Sequence, residues 1–209
     1  MTDGILFDLD GTLWDAVDNI CAAWNLGLEE RGHPGHLKAE EVRSCMGMLL
    51  PAIADRLMPE LAPEERQRTM AVCAQKQADY LAVHGGALYP HLEETLKALS
   101  RRWPLFIVSN CQGGYIEGFL AVTGLGKYFR DFECPGRTGL DKAGNIALVA
   151  KRNGLRHPVY VGDTQGDRDA ADTAGVPFVH AAYGFGRVEG VPAIRGLEEL
   201  EGLLRAQDD

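Results

Sequence analysis

Residues 5–12 read ILFDLDGT, and this stretch decides the fold. From Gly4 to Leu9 the chain is a short apolar run, which Asp10 and Gly11 then stop, as in a buried strand that ends in a turn. Two acids, Asp8 and Asp10, stand at the end of that strand, where an acid is costly unless a partner balances its charge. The stretch therefore predicts a buried first strand with a polar site at its end.

The next part of the chain has only helical patterns. Apolar residues recur at helical spacing over residues 16–31, and two more helical segments follow, one over 39–57 and one opened by Pro63. Pro51 is expected to kink or split the first of these two segments. Because no predicted strand interrupts residues 16–87, this part is expected to be an all-helical insertion.

Beyond residue 87 the pattern changes to alternating strands and helices. Strands are predicted over residues 104–108, 132–134, 158–161 and 177–181. Helices are predicted over residues 92–101, 113–122, 142–153 and 167–174. This alternation implies right-handed crossovers and a parallel sheet covered on both faces. The predicted fold class is α/β, a Rossmann-like parallel sheet core of residues 1–15 and 88–209 with the all-helical insertion at 16–87.

Polar residues stand at the ends of three predicted strands. They are Asp8 and Asp10, Ser109 and Asn110, and Asp163 and Asp167. In a doubly wound sheet these strand ends share one edge, where ligands bind, so the side chains are expected to converge. Lys142 opens the helix before the strand that leads to Asp163. A cation in a first helical turn opposes the helix dipole, which indicates a negative group beside it.

Acids grouped in this way repel one another unless a cation lies between them. Mg2+ prefers carboxylate and carbonyl oxygens and keeps bound waters, which leaves room for a substrate phosphate. Phosphoryl transfer needs a nucleophile, an acid for the leaving oxygen, and positive charge around the equatorial oxygens. The predicted cluster offers all three, so it favours a magnesium-dependent phosphoryl transfer.

Four motifs of this chain resemble those of a known family. They are DLDGT at residues 8–12, Ser109-Asn110, Lys142, and GDTQGDRDAADTAG at residues 162–175. In this order the motifs resemble the haloacid dehalogenase superfamily in its phosphatase branch, and by overall pattern its phosphoglycolate phosphatase-like members. The resemblance covers essentially the whole chain. It implies that the insertion is a helical cap domain that closes over small substrates and excludes water.

The resemblance implies roles for the motif residues. Asp8 resembles the nucleophile that forms an aspartyl phosphate, and Asp10 resembles the acid that protonates the leaving oxygen and later activates water. Lys142 resembles the charge partner of nucleophile and phosphate. The implied Mg2+ ligands are Asp8, Asp10 through its backbone carbonyl, Asp163, and Asp167 as a helper, directly or through water. The implied substrate and phosphate contacts are Gly11, Thr12, Ser109, Asn110 and, in the part of the cap where relatives place a specificity loop, Arg43.

The implied reaction is Mg2+-dependent hydrolysis of a small phosphate monoester through an aspartyl-phosphate intermediate. The same motifs serve phosphoglycolate, sugar phosphates, nucleotides and pyrophosphate, so the substrate stays open. Two acids also have ordinary structural explanations. Asp167 could simply cap the following helix, and Asp15 is left without a role because a helix N-cap explains it equally well.

Other functions fit the motifs less well. A dehalogenase needs no acid at Asp10, and a phosphosugar mutase typically has valine in place of Thr12 and glutamate in place of Gly162. A receiver-like phosphate switch would carry its phosphoacceptor in mid-chain and would have no cap. A non-catalytic relative that binds a partner through its cap should have lost a charged motif residue, and none is missing. The mutase and the receiver-like switch are kept as alternatives to the phosphatase.

The composition limits the partners of the protein. A formal net charge of -9 argues against nucleic acid, whose partners usually need a basic face. No apolar run approaches the roughly 20 residues that cross a bilayer. The 5 cysteines show no Cys-x-x-Cys spacing, and their odd number does not suit a closed disulfide framework. We expect a cytoplasmic enzyme that acts on a small phosphorylated metabolite, and we leave open whether it is a monomer or a dimer.

Overall fold

The structure is a computed structural model, and it describes residues 1–208. Its strands are β1 (Gly4–Phe7), β2 (Trp14–Asp15), β3 (Ala87–Leu88), β4 (Leu105–Val108), β5 (Phe129–Glu133), β6 (Pro158–Gly162), β7 (Phe178–Ala181) and β8 (Ala193–Ile194). Its α-helices are α1 (Val17–Glu30), α2 (Ala39–Arg43), α3 (Leu50–Leu57), α4 (Pro63–His84), α5 (Leu92–Leu99), α6 (Tyr115–Thr123), α7 (Pro135–Thr138), α8 (Lys142–Arg152), α9 (Gln165–Ala174) and α10 (Leu200–Asp208). Among the described residues, every helix is too short or too polar to span a lipid bilayer.

β1 lies near the centre of the main sheet. Within residues 1–208 this sheet has six strands in the order β5-β4-β1-β6-β7-β8, and each neighbouring pair is parallel. Ile5 of β1 stands beside Leu105 of β4 on one side and Val159 of β6 on the other. A central parallel strand is covered on both faces and needs apolar residues throughout, and all of β1 is buried.

Successive residues of β1 point to opposite faces of the sheet. Ile5 and Phe7 pack into the larger core, which also contains residues of the inserted helices. Leu6 packs into a second core with Ile146 and Val149 of α8. Helices therefore cover both faces of the sheet and leave its edges, where the strands end, for the functional residues.

The inserted segment contains α1 to α4, and the chain enters and leaves it through a small second sheet. In that sheet β2 and β3 pair antiparallel, with Trp14 opposite Leu88. α1 packs against α4 so closely that a Cβ atom at Gly27 would lie 2.8 Å from the Cα atom of Cys73. Glycine at residue 27 therefore allows the two helices to approach each other.

The predicted fold class is confirmed, because a parallel sheet covered by helices carries an all-helical insertion after its first strand. The division into a core of residues 1–15 and 88–209 and a cap of residues 16–87 stays a prediction. β2 and β3 lie at the two points where this division separates core from cap.

Several details differ from the sequence predictions. β5 begins at Phe129, before the strand predicted over residues 132–134, and α7 and α10 were not predicted. The helical segment predicted over residues 39–57 consists of two helices, α2 and α3, and Gly47 in the loop between them has a φ of +82°. Pro51 lies in the first turn of α3, where a missing backbone N–H costs nothing, and the break comes before it. The strands β2, β3 and β8 have two residues each, too few for a periodic pattern to predict them.

Candidate active site

The carboxyl ends of β1, β4 and β6 lie side by side in the sheet, and predicted site residues follow each of them. Asp8 follows β1, Ser109 follows β4, and Asp163 follows β6. All three are buried, with exposed fractions of 2%, 4% and 0%. Lys142 at the start of α8 and Asp167 in the first turn of α9 reach the same place. The structure thus brings these five residues together, while their catalytic roles stay predictions.

Lys142 lies between two buried acids. Its Nζ atom donates a hydrogen bond to Oδ1 of Asp8 at 2.8 Å and another to Oδ1 of Asp167. Burial lowers the pKa of the Lys142 ammonium, but the charges of Asp167 and Asp8 raise it, and the balance lies well above the ordinary value. Burial also raises the pKa of Asp167, yet the charge of Lys142 outweighs it and holds that pKa below its usual value. This pair is therefore charged.

The other two acids of the cluster hold their protons more tightly. Burial raises the pKa of Asp8 to about 6, although the charge of Lys142 opposes the rise. Burial, followed by the charges of Asp167 and Asp8, raises the pKa of Asp163 to about 8. Burial therefore disfavours the ionised form of these two acids, and a further positive charge beside them would favour it.

The chemistry of this cluster fits a divalent cation. Asp8, Asp163 and Asp167 each offer one carboxylate oxygen, and these oxygens lie within 4.8 Å of one another. Oδ2 of Asp163 accepts a hydrogen bond from the backbone nitrogen of Phe185 at 2.7 Å. Its buried Oδ1 has no hydrogen-bond partner among the described residues. An unpartnered carboxylate oxygen among acids suits a hard cation such as Mg2+, which takes oxygen ligands.

Asp167 has both carboxylate oxygens engaged. Oδ1 accepts from Lys142, and Oδ2 accepts from the backbone nitrogen and the hydroxyl of Thr164 at 2.9 and 2.7 Å. Thr164 is the N-cap of α9, and its Oγ1 accepts from the backbone nitrogen of Asp167 at 3.2 Å, so the two residues form a capping box. Asp167 therefore caps the helix and faces the acid cluster at once.

Gly11 occupies a position that requires glycine. Its φ is +87°, and a Cβ atom there would lie 2.3 Å from Oδ2 of Asp163. The buried Thr12 follows, and its carbonyl accepts a hydrogen bond from the hydroxyl of Tyr183 at 2.8 Å. Within residues 1–208 the Oγ1 atom of Thr12 has no partner, as for Oδ1 of Asp163. The turn thus places the backbone of Gly11 beside the Asp163 carboxylate and leaves the buried Thr12 hydroxyl free to bind a ligand.

Asp10 is held by two aromatic side chains. Its Oδ1 atom accepts hydrogen bonds from Nε1 of Trp14 at 2.9 Å and from the hydroxyl of Tyr115 at 2.7 Å. Burial raises the pKa of Asp10 to about 7, although the hydrogen bond from Tyr115 opposes the rise. Sequence reasoning missed both donors. Only the short separation of Trp14 from Asp10 could have signalled one of them, since Tyr115 meets Asp10 through the fold.

Asn110 connects the main sheet to the inserted segment. Its Nδ2 atom donates a hydrogen bond to the carbonyl of Gly47 at 2.9 Å, and Gly47 lies in the loop between α2 and α3. Because a carbonyl can only accept, this contact settles which end of the amide is nitrogen. The opposite atom, Oδ1, is buried and has no partner among the described residues. Asn110 therefore presents an unused acceptor in a fixed orientation.

Arg43 is held by an acid at the entrance to the inserted segment. Its Nη1 atom donates to Oδ2 of Asp15 at 2.8 Å, and its guanidinium lies 5.2 Å from the ring centroid of Phe185. Oδ1 of Asp15 accepts from the backbone nitrogen of Val17 at 2.9 Å, but the N-cap of α1 is Ala16, so Asp15 precedes the cap position. A substrate contact for Arg43 stays a prediction.

A cavity opens beside Asp10, between the inserted helices and the main sheet. It offers about 40 Å³ to the centres of water-sized molecules, and the larger empty volume of about 360 Å³ includes open solvent. Residues of the inserted segment that line it are Ile20, Trp24, Met46, Gly47, Met48, Leu50, Ile53 and Gln77. Residues from the main sheet side are Asp10, Asn110, Cys111, Gln112 and Tyr115. The cavity could therefore hold the part of a substrate that lies next to Asp10.

Comparison with known proteins gives consistent matches over most of the chain. The sequence profile of the haloacid dehalogenase-like hydrolases matches residues 5–181. A phosphoglycolate phosphatase from Cupriavidus necator is 30% identical over 213 residues, which cover 97% of this chain and 90% of that protein. The phosphoglycolate phosphatase of Escherichia coli strain K12 is 28% identical over 223 residues, which cover 90% and 84%.

A solved structure shows the same fold. The crystal structure of a predicted phosphoglycolate phosphatase from Haemophilus somnus superposes with a TM-score of 0.85 at 20% sequence identity. The match covers 97% of this chain and 98% of that one. At this identity the likeness concerns the fold, so that the sheet, the inserted helices and the shared edge of the strands correspond in the two proteins.

Proposed function

The chain belongs to the haloacid dehalogenase-like hydrolase family and is a phosphoric monoester hydrolase, and from this premise we propose that it transfers the phosphoryl group of a small monoester to Asp8 and then to water. The acid cluster carries the proposal, because carboxylate oxygens of Asp8, Asp163 and Asp167 lie within 4.8 Å of one another. When all three acids are ionised, the Lys142 ammonium leaves the cluster with two negative charges. A divalent cation held by these oxygens would neutralise those charges and allow a phosphate to approach.

Mg2+ suits this set of oxygen donors. Asp8 and Asp163 would hold it, with the backbone carbonyl of Asp10, and Asp167 would help directly or through water. When bound, Mg2+ supplies positive charge to the phosphoryl oxygens. The unpartnered Oδ1 atom of Asp163 supports this assignment. Both carboxylate oxygens of Asp167, by contrast, already accept hydrogen bonds.

Asp8 is the proposed nucleophile. One of its carboxylate oxygens attacks phosphorus, and the bond between phosphorus and the alcohol oxygen breaks while Asp10 gives that oxygen a proton. Water then attacks the phosphorus of the aspartyl phosphate, Asp10 takes a proton from the water, and the Asp8 carboxylate is released with inorganic phosphate. Lys142 donates to Oδ1 of Asp8 at 2.8 Å and balances its charge. Ser109, Thr12 and the backbone of Gly11 are the proposed phosphate contacts.

Asp10 is suited to give and take a proton. A pKa of about 7 means that both protonation states are populated near neutral pH. Trp14 and Tyr115 both donate to Oδ1, so a proton on the carboxyl group resides on Oδ2. Oδ2 is therefore the atom that we propose to face the leaving oxygen in the first step and water in the second.

We also propose that residues 16–87 act as a cap over this site. The hydrogen bond from Asn110 to the Gly47 carbonyl, 2.9 Å long, ties the cap loop to the loop that follows β4. Such a contact keeps bulk water out of the site while a reactive acyl phosphate is present. The same contact would have to break for substrate to enter.

The proposed function is tested by phosphate release from a panel of small phosphate esters, with Mg2+ and with a chelator. Asp8→Asn keeps the shape of the side chain and removes the nucleophile, so turnover should fall by at least about 100-fold. Asp79→Asn, a substitution of an exposed acid that contacts Gln75 in the inserted segment, is the matched control and should leave turnover unchanged. Hydroxylamine added during turnover should convert an aspartyl phosphate at Asp8 to a hydroxamate, which peptide mass spectrometry locates.

Normal turnover by Asp8→Asn, or by exhaustively chelated protein, would contradict the proposal. A phosphosugar mutase is distinguished in the same assay, because it would move the phosphoryl group between sugar positions without releasing phosphate. A receiver-like switch would be phosphorylated at Asp8 once and would not turn over.

A further inference from the structure

The cavity beside Asp10 lies where the alcohol part of a substrate must sit. A general acid has to be within hydrogen-bond reach of the leaving oxygen that it protonates. Asp10 lines the cavity, so the group attached to the leaving oxygen extends into it. The chemistry of the cavity wall therefore selects the alcohol, and this step rests on the function proposed above.

Most of the cavity wall is apolar. The inserted segment contributes the side chains of Ile20, Trp24, Met46, Met48, Leu50 and Ile53. Thioether and aliphatic side chains of this kind favour an uncharged, partly apolar occupant and offer nothing to stabilise a charge. Gln77 and Gln112 add neutral amides, and the Oε1 atom of Gln77 already accepts from Nε1 of Trp24 at 2.7 Å.

The polar atom of the cavity wall that most clearly lacks a hydrogen-bond partner is Oδ1 of Asn110. Asn110 lines the cavity, its Nδ2 is committed to the Gly47 carbonyl, and its buried Oδ1 has no partner among the described residues. An acceptor in this state favours an occupant that donates a hydrogen bond to it. A hydroxyl or an amide N–H supplies one, whereas a carboxylate or a phosphate would place a second acceptor against it.

The two cations described for the site, Lys142 and Arg43, are already paired. Lys142 donates to both Asp8 and Asp167, and Arg43 donates to Asp15 at 2.8 Å. The residues that line the cavity, taken from residues 1–208, include no lysine, arginine or histidine, and they include the acid Asp10. A second negative charge on the substrate would thus meet a carboxylate and an apolar wall.

We propose that the alcohol part of the substrate is uncharged, small and partly apolar, with a hydroxyl or N–H that donates to Oδ1 of Asn110. Esters whose alcohol carries a second anionic group are then poor substrates. Phosphoglycolate, after which the similar phosphoglycolate phosphatases are named, is then expected to be a poor substrate, because its alcohol part carries a carboxylate.

The experiment compares phosphoglycolate with its carboxamide, phosphoglycolamide, which has nearly the same shape and no charge on the alcohol part. The ratio of kcat/KM values is measured for the full chain with Mg2+. We expect the amide to be hydrolysed with a kcat/KM at least about tenfold higher, the factor that corresponds to about 1.4 kcal/mol. A kcat/KM for phosphoglycolate equal to or above that of the amide overturns the inference and leaves the phosphatase function intact.

A substitution that introduces a positive charge into the cavity wall provides a second test. Met48 is half-buried in the cavity wall, so Met48→Lys should set an ammonium there, and Met48→Gln is the neutral control of similar length. Met48→Lys should shift the ratio toward phosphoglycolate by at least about tenfold relative to Met48→Gln. An identical ratio in the two variants would show that the alcohol does not occupy this cavity, which overturns the inference. Absence of any Asp8-dependent phosphate release from neutral and anionic esters alike overturns the proposed function and this inference with it.

Discussion

The hydroxyl of Tyr115 donates a hydrogen bond of 2.7 Å to Oδ1 of Asp10, although the two residues are 105 positions apart in the chain. Tyr115 opens α6, after the loop that carries Ser109 and Asn110, and it is buried. Trp14 donates to the same oxygen at 2.9 Å from within the Asp10 turn. The proposed general acid is therefore held from two directions, and its other oxygen is left for the substrate.

The first prediction concerns Tyr115→Phe, which removes the donor and keeps the ring. Asp10 would then be held by Trp14 alone, and proton transfer to the leaving oxygen should weaken. We expect kcat to fall by about 10-fold to 100-fold for an alkyl phosphate, within the range that general acids contribute. For 4-nitrophenyl phosphate, whose leaving group needs little protonation, the loss should be several-fold smaller.

Tyr128→Phe is the matched control for this prediction, because it removes a hydroxyl that donates to Glu93 at 3.0 Å on the surface. It should leave both substrates unaffected. Equal losses for the alkyl and the nitrophenyl ester in Tyr115→Phe would indicate a merely structural role for the hydroxyl.

This contact also marks the limit of what the sequence could predict. Asp8, Asp10, Asp163 and Ser109 could be placed at one edge because each follows an apolar run that reads as a buried strand, and parallel strands end on the same side. The contact between Tyr115 and Asp10 could not be predicted in this way, because in the sequence Tyr115 looks like the ordinary start of a helix. Its contact with Asp10 depends on how α6 packs against the β1 turn, which no local pattern encodes.

The same limit explains the helix predicted over residues 39–57. Met46, Met48 and Leu50 continue an apolar pattern, so the segment looks helical throughout. Gly47 instead adopts a positive φ, and its carbonyl accepts from Asn110. Met46 and Met48 line the cavity beside Asp10 from this loop, and Leu50 lines it from the first turn of α3. A tertiary contact therefore overrides the local preference here.

The second prediction concerns Lys142→Met, which removes a buried ammonium of similar length. Asp8 and Asp167 would remain as buried acids without their shared partner, which breaks a buried charge network. We expect the free energy of unfolding to fall by about 3–5 kcal/mol and phosphatase activity to be lost. Thermal and denaturant unfolding measure the first effect, and phosphate release measures the second.

Lys151→Met, on the exposed side of the same helix, should cost little stability and keep activity. If Lys142→Met were as stable as the native chain at pH 8 without added metal, the buried charge pairing described for Lys142 would be wrong.

The third prediction concerns the stability of chelated protein as the pH changes. The pKa values of Asp8, Asp10 and Asp163 are raised to about 6, 7 and 8. The folded chain therefore binds protons that the unfolded chain, with acid pKa values near 3.9, has already released. Their stabilising contribution is fully present below about pH 4 and is lost as the pH rises through the folded-state values. Asp167 acts in the opposite sense, because its pKa is lowered.

We therefore expect the Tm of chelated protein to fall between pH 5 and pH 8, and the rise in Tm on adding Mg2+ to be larger at pH 8, where the acids are ionised. Thermal denaturation at several pH values, with chelator and with Mg2+, checks both trends. Asp163→Asn should reduce the Mg2+-induced rise at pH 8, whereas Asp169→Asn, an exposed change on α9, should not. A rise in Tm that Asp163→Asn leaves intact would place the cation elsewhere.

The last prediction concerns Gly11→Ala. A methyl group there would lie 2.3 Å from Oδ2 of Asp163, and the φ of +87° disfavours alanine in any case. To relieve the clash, either the turn that follows Asp10 or the Asp163 carboxylate has to move. The distance between the nucleophile Asp8 and the proposed metal ligand Asp163 therefore changes. We expect a fall in kcat of at least about 100-fold, since small displacements of catalytic groups have costs of this size. The Mg2+-induced rise in Tm should shrink together with kcat, because both depend on Asp163.

Gly166→Ala is the control, as a methyl group there meets only Oγ1 of Thr164 at 3.7 Å. A variant at Gly11 that kept its turnover and lost only stability would indicate that the close approach serves folding rather than the arrangement of the site.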